Sequence, residues 1–316
     1  MKKVAFLDTV HPVLKDGLTH LGWECIDLTS TPISEIKSLI GDFHGIVIRS
    51  RMPMDSTFLR QANQLEFIAR SGAGMENIDE RYCQKENIIC LNAPEGNRNA
   101  VGEQALGMLL SLFNNLVKAN QEVKDGIWDR EGNRGIELKG KTVGIIGFGH
   151  NGSAFAKKLM GFDVKILAYD KYKRDFGNDF VESCDLQTIF EQADVLSFHI
   201  PQNSETRFMA DESFFESFKK SIYLINLARG KIVNTKALVG ALKTGKVLGA
   251  CLDVLEYEKS SFEHFFSKNN TIPEDFQYLI DSENVIISPH VGGWTIESYF
   301  ELSNVLLEKI KKHYGL

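Results

Sequence analysis

Four positions in the second half of this 316-residue chain are of types that do chemistry where a buried run ends in a turn. Arg229 stands beside Gly230, just after the apolar run Ile222–Asn226. A guanidinium in that place can grip both oxygens of a carboxylate at once. Asp253 and Glu258 follow the next apolar run, Val247–Leu252. His290 lies in the Pro- and Gly-bounded turn Ser288-Pro289-His290-Val291-Gly292-Gly293, after Val285–Ile287. Histidine changes charge near neutral pH, so it can exchange a proton with a carbonyl oxygen that is being reduced. A carboxylate beside it favours the charged imidazolium. Taken singly, each residue also has a plain structural reading, as a surface arginine or a turn histidine.

A second constellation lies upstream. Residues 143–146 form a short apolar run that leads directly into Gly147-Phe148-Gly149-His150-Asn151-Gly152, three glycines at G-x-G-x-x-G spacing. A helical pattern follows with Phe155, Leu159 and Phe162 on one side, and a second run, 164–169, ends on Asp170. Strand, glycine turn, helix, second strand and terminal acid together specify a dinucleotide-binding unit. Gly147 permits the tight turn, Gly149 lets backbone approach a pyrophosphate, and Gly152 lets the helix pack close with its N-terminus toward the anion. Asp170 is placed to accept hydrogen bonds from the adenosine ribose diol. Its charge repels a 2′-phosphate, so NAD is expected rather than NADP. Lys171, Lys173 and Arg174 come next and either soften that preference or simply line a solvated loop.

The elements that must carry these residues alternate along the chain. Apolar runs at 3–7, 24–28, 45–48, 67–69 and 88–91 are separated by helical patterns such as 13–21 and 34–40. A long helix is predicted over 99–121, with Val101, Ala105, Met108, Leu109, Leu112, Leu116 and Val117 on one wide face. Later strands are predicted at 195–199, 222–226, 247–252 and 285–287. Strands alternating with helices specify parallel sheets wound on both faces. The fold expected is α/β: two doubly wound parallel-sheet domains, Rossmann-like and flavodoxin-like, around a cleft. Ligands of such sheets bind outside the carboxyl ends of the strands, where Arg49 and Ser71 also fall.

Bulk composition narrows the function class. Hydrophobic residues make up 43% and charged residues 25%, as in ordinary globular proteins. A net charge of −6 argues against a nucleic-acid groove or an anionic membrane surface as partner. The first residues lack the long apolar core of a signal peptide, and no run is long enough to span a bilayer. Five scattered cysteines (Cys25, Cys83, Cys90, Cys184, Cys251) without a C-x-x-C pair fit a reducing cytoplasm. No metal site is expected.

The ordered set of Gly147-x-Gly149-x-x-Gly152, Leu227-Ala228-Arg229-Gly230, Leu252-Asp253-Val254 with Glu258, and Pro289-His290-Val291-Gly292-Gly293 resembles the D-isomer-specific 2-hydroxyacid dehydrogenase family, over essentially the whole chain. The resemblance implies hydride transfer between NAD and C2 of a small acid. It makes Arg229 the carboxylate and carbonyl ligand, His290 the acid/base and Glu258 its partner. Asp253 would orient the nicotinamide carboxamide. His150, Asn151, Leu227, Ala228, Gly292 and Gly293 would join the glycines and Asp170 around the cofactor. The backbone of Ser71-Gly72-Ala73-Gly74 would help hold the substrate. It further implies a discontinuous substrate domain, 1–94 plus 294–316, a nucleotide domain at 95–293, and a homodimer built on the long helix.

Within the family, Ile48-Arg49-Ser50-Arg51, Asn92-Ala93-Pro94-Glu95-Gly96-Asn97 and His150 resemble phosphoglycerate dehydrogenases. Arg49 and Arg51 would then hold a substrate phosphate, or Arg49 would serve the carboxylate while Arg51 faces solvent. With no C-terminal regulatory domain, a short form is expected. Hydroxypyruvate or glyoxylate reduction is the alternative substrate reading, and an NAD(H)-sensing corepressor-like protein the alternative of another class. Three departures stand out. Lys259 replaces the family's usual proline. The stretch 260–282, with Phe262, Phe265, Phe266, Phe276 and Tyr278, is long, and an inserted helix packed on the nucleotide domain is expected there. Trp294 stands where a small residue is usual, to line the substrate pocket or anchor the final helix.

Overall fold

The computed structural model describes residues 1–258 and 272–316. The described chain divides into two compact units, residues 1–98 with 293–316, and residues 99–292.

The first unit is built on five short strands: β1 (Lys3–Phe6), β2 (Glu24–Asp27), β3 (Gly45–Ile48), β4 (Phe67–Arg70) and β5 (Ile89–Asn92). All pair in parallel, in the order β2-β1-β3-β4-β5. Alternate residues of each strand enter opposite cores, as the two-residue period of a strand requires. Ala5, Ile46, Ile48 and Ile68 face one core, and Val4, Phe6, Val47, Phe67 and Ala69 the other. The second core is closed by Leu302, Leu306, Leu307 and Ile310 of the C-terminal helix Ile296–Tyr314. That helix begins at a Thr295–Ser298 capping box and packs on helix Pro12–His20, which is why the chain end joins this unit.

The second unit holds β6 (Thr142–Ile146), β7 (Lys165–Tyr169), β8 (Glu182–Ser183), β9 (Val195–Phe198), β10 (Ile222–Asn226), β11 (Val247–Leu252) and β12 (Val285–Ile287). They form a parallel sheet in the order β12-β11-β10-β9-β6-β7-β8. Strand order reverses between β6 and β9, the place where doubly wound sheets bind their ligands. Val143, Ile145, Val195, Ile225 and Cys251 face one core, while Ile146, Leu196, Phe198, Leu224 and Leu252 face the other.

Two expectations change. The long helix starts at Pro94, whose fixed φ suits a first helical position, and ends at Phe113. Asn115 then adopts a left-handed conformation (φ 52°), and a separate helix, Leu116–Lys124, follows. The predicted apolar face is therefore buried only as far as Leu112, and Leu116 and Val117 are exposed. In the stretch 260–282 a helix is described at Glu274–Asp281, with Phe276 and Leu279 buried in the core that also holds Leu224 and Val247. Lys259, Phe262, Phe265 and Phe266 lie outside the described residues.

Candidate active site

The three C-terminal strands of the second sheet set the site. Their register puts Asn226, Leu252 and Ile287 in one row. Arg229 and His290 each lie three residues beyond that row, and Asp253 one residue beyond it. The sheet alone thus brings together side chains separated by up to 61 positions in sequence.

Each exit turn is fixed from beneath. Buried Asn226 accepts the Ala228 N–H at 3.1 Å and donates to the Arg229 carbonyl at 3.0 Å, closing the turn that presents Arg229. The guanidinium is partly buried and donates to the Ala228 carbonyl at 2.6 Å. His290 has φ 54°, a conformation few non-glycine residues hold without support from their surroundings. Asp253 supplies that support. Its carbonyl accepts the His290 N–H at 2.9 Å, and its carboxylate accepts the Val291 and Gly292 N–H groups at 2.9 and 2.6 Å. Ser288 Oγ donates to the same carboxylate at 2.5 Å, and Gln104 Nε2 to both Ser288 and Asp253 at 3.1 and 3.3 Å. Burial pushes the Asp253 carboxyl above its ordinary range, against the pull of these hydrogen bonds.

The His290 ring meets Glu258, with Nδ1 2.7 Å from Oε2. The other carboxylate oxygen of Glu258 accepts the Leu255 N–H, so the acid is anchored to its own turn. Both side chains keep about a fifth of their surface, at 22% and 16%. The carboxylate on Nδ1 fixes the orientation of the ring and favours its charged form.

The glycine loop lies at the β6/β9 reversal. Gly147 has φ 95°, and a side chain there would run into the His199 carbonyl. A Cβ on Gly152 would lie 2.0 Å from the Gly147 carbonyl oxygen, so helix His150–Leu159 can start so close to β6 only with glycine. Gly149 faces open space, and no side chain caps this helix. Its first N–H groups, those of His150, Asn151 and Gly152, therefore point toward room enough for an anion. Asp170 accepts the Phe148 N–H on one oxygen and the Tyr172 and Lys173 N–H groups on the other, all at 2.9–3.1 Å. A carboxylate accepts about four hydrogen bonds, so capacity for a ribose hydroxyl remains. These features fit a bound dinucleotide. Lys173 donates to the Phe148 carbonyl at 2.7 Å and Lys171 pairs with Glu205, so both lysines have protein partners.

In the first unit, Ile48, Arg70 and Asn92 share a row, and Arg49 and Ser71 follow immediately. Asp8 Oδ2 collects the N–H groups of Arg49, Ser50 and Arg51 at 2.6, 3.0 and 3.1 Å. The Ser71-Gly72-Ala73-Gly74 turn is held by the Ala93 N–H on the Gly72 carbonyl and by Asn92 Nδ2 on that of Ala73. Arg51 departs from the phosphate-binding expectation. Its guanidinium is turned onto the carbonyls of Leu7, Leu28 and Thr31, where it ties together the ends of β1 and β2. Sequence reasoning missed Asp8, Gln104, Asn226 and Ser288, which act on backbone or on one another. Only Asn226 gives a signal in sequence, as a polar residue closing a buried run.

Comparison with known proteins identifies the chain. Residues 106–292 match the profile of the D-isomer specific 2-hydroxyacid dehydrogenase, NAD binding domain. The hydroxypyruvate reductase of Thermotoga maritima is 32% identical over 93% of this chain and 92% of its own length. The chain belongs to the D-isomer specific 2-hydroxyacid dehydrogenase family. The D-3-phosphoglycerate dehydrogenase of Methanocaldococcus jannaschii is also 32% identical, over 99% of this chain and 57% of its own. The dehydrogenase thus spans just over half the length of that relative. Among solved structures, the D-lactate dehydrogenase of Aquifex aeolicus complexed with NAD and lactic acid superposes with a TM-score of 0.83 at 26% identity, covering 99% of this chain and 96% of the other. The protein is an NAD-dependent oxidoreductase.

Proposed function

We propose that this dehydrogenase interconverts a small D-2-hydroxy acid and its 2-oxo acid, with 3-phosphoglycerate and 3-phosphohydroxypyruvate as the pair, a step of serine biosynthesis. The observation that carries the reaction type is the alignment of Arg229 and His290 at the exits of β10 and β12, the strands on either side of β11, with Glu258 against the His290 ring. NAD, when bound, supplies the hydride acceptor or donor. Arg229 holds the substrate carboxylate and polarises the C2 oxygen. His290 Nε2 gives that oxygen a proton in reduction and takes it back in oxidation, while Glu258 fixes the ring and stabilises its charged form. The support for a phospho-acid is the likeness to phosphoglycerate dehydrogenases across nearly all of this chain, with Arg49 as the anion contact. Hydroxypyruvate is the second reading. It is favoured by the engagement of Arg51 with three carbonyls and by the reductase that matches over 92% of its own length.

The test follows NADH oxidation with 3-phosphohydroxypyruvate, hydroxypyruvate, glyoxylate and 2-oxoglutarate, in wild type and Arg51→Ala. A phospho-substrate advantage of tenfold or more in kcat/KM, kept in Arg51→Ala, is expected. No advantage would move the assignment to hydroxypyruvate, and tight NADH binding without turnover of any oxo acid would favour an NAD(H) sensor.

A homodimer is part of the proposal. Leu116, Val117, Val123, Ile127 and Trp128 are all exposed, Trp128 at 80%. A monomer seldom leaves so many large apolar side chains together in water. A second copy of this chain would cover them, and Val117→Glu with Trp128→Glu should yield monomers by light scattering.

A further inference from the structure

Glu258 stands on a turn beyond β11 that belongs to no strand or helix, yet its carboxylate lies on the His290 ring. Two bonds inside that turn fix its shape: the Leu255 N–H on Glu258 Oε1, and the Glu258 N–H on the Leu255 carbonyl at 3.2 Å. They do not fix its place. That is set against the segment running from Arg229 into helix Thr235–Lys243. Glu256 Oε2 accepts the N–H of buried Thr235, the first residue of the helix, at 2.9 Å. An N–H at that position has no partner within its own helix, and a carboxylate suits the positive end of the helix dipole. The Tyr257 hydroxyl meets the Thr235 side chain beside it. At the other end of the segment a Cβ on Gly230 would sit 1.9 Å from the Leu255 carbonyl oxygen, so the two backbones touch there. The turn that carries Glu258 and the segment that carries Arg229 are thus joined at two points.

From this we infer that Glu256 is a positioning residue for the proton-transfer pair: its carboxylate locks the turn of Glu258 to the segment of Arg229 and so keeps Glu258 on the His290 ring. The inference rests on the proposal that His290 is the acid/base and Glu258 its partner. The alternative is that Glu256 only caps the start of helix Thr235–Lys243, with no bearing on the reaction.

Wild type, Glu256→Ala, Glu256→Gln, Thr235→Pro and His290→Ala decide it, each assayed with the oxo acid that wild type reduces best. Glu256→Ala should lower kcat about tenfold while KM and NADH affinity hold. Glu256→Gln, whose amide oxygen still accepts the Thr235 N–H, should recover most of the loss. Thr235→Pro removes the donor at a first helical position, where proline is favoured, and should lower kcat at least as far without weakening the helix. In the cofactor-free protein, proton NMR should show the His290 Nδ1–H far downfield, assigned by its absence in His290→Ala. That signal should broaden in Glu256→Ala and persist in Glu256→Gln. A Glu256→Ala protein that melts earlier with kcat and signal unchanged would identify a helix cap and overturn the inference. Glu256→Gln impaired as deeply as Glu256→Ala, or Thr235→Pro at full rate, would overturn it too. If His290→Ala turns over at the wild-type rate, the proton-donor reading fails and the inference with it. If His290→Ala alone is impaired, the reading stands and the inference fails.

Discussion

The two sheets solve one problem in two ways. In each, a carboxylate at a strand exit gathers the N–H groups of a turn that carries a candidate functional side chain. Asp8 does this for Arg49, and Asp253 for His290. Asp8 is only partly buried and takes three backbone donors on one oxygen. Asp253 is 1% exposed and is backed by Ser288 and Gln104. A partly hydrated carboxylate can lose a partner to water, whereas a buried one cannot. The second exit is thus the rigid one, and it carries the proposed proton donor. The first carries the proposed anion contact.

Breaking the rigid exit should cost most. His290→Ala is expected to lower turnover about a thousandfold with NADH affinity, read by fluorescence titration, almost unchanged; unaltered turnover would remove His290 as the proton donor. Asp253→Ala should destabilise the fold by about 3 kcal/mol in urea titration, because buried N–H and hydroxyl donors lose their acceptor. Asp253→Asn separates charge from hydrogen bonding. Since burial raises the folded pKa of Asp253 above the ordinary 3.8, the folded state holds its proton more tightly than the unfolded one. Its contribution is therefore fully present below that ordinary value and is lost as pH rises through the folded one. Wild type should accordingly lose stability relative to Asp253→Asn as pH climbs above the carboxylate range, and parallel profiles would contradict the assignment.

The same contrast governs what could be read from the chain. Most of the twelve strands announce themselves as short, largely apolar runs, β12 among the shortest. Strand β8, two polar residues at a sheet edge, has no core to bury and leaves no pattern. The break at Asn115 is invisible because leucine periodicity continues through it, and one backbone conformation decides the matter. Arg229, Glu258 and His290 stand out because charged or titratable side chains that follow a buried run must serve some purpose there. Their supports do not. Gln104 meets Ser288 across 184 positions, and Asp8 acts on backbone, which has no signature in residue type. Arg51 shows the converse difficulty. An arginine at a strand exit reads as a ligand for anions until its hydrogen bonds to three carbonyls are seen.

A further titratable group sits at the rigid sheet's strand ends. His199 follows β9 beneath the glycine loop, with Nε2 2.9 Å from Ser197 Oγ. Burial without an opposite charge lowers its pKa to about 3. A histidine depressed in the folded state contributes stability above its unfolded value, near 6.5, which is lost as pH falls from there toward 3. Wild type should lose about 2 kcal/mol between pH 7 and pH 5 from this group alone. His199→Phe should flatten that slope in urea titrations at the two pH values, and an unchanged slope would show that His199 protonates without unfolding.

The smallest effect is expected where the carboxylate is hydrated. Asp8→Ala should cost only about 1 kcal/mol, because water can reach the three N–H groups it leaves behind. Asp8→Asn should cost less, since its amide oxygen still accepts. If the comparison between exits is right, the damage to function differs in kind. Asp8→Ala loosens the backbone under Arg49 and should raise KM for the oxo acid while leaving kcat close to wild type. Asp253→Ala should depress kcat. Two variants that both act on kcat, or a loss at Asp8 as large as that at Asp253, would show that the Arg49 exit is held as rigidly as the His290 exit.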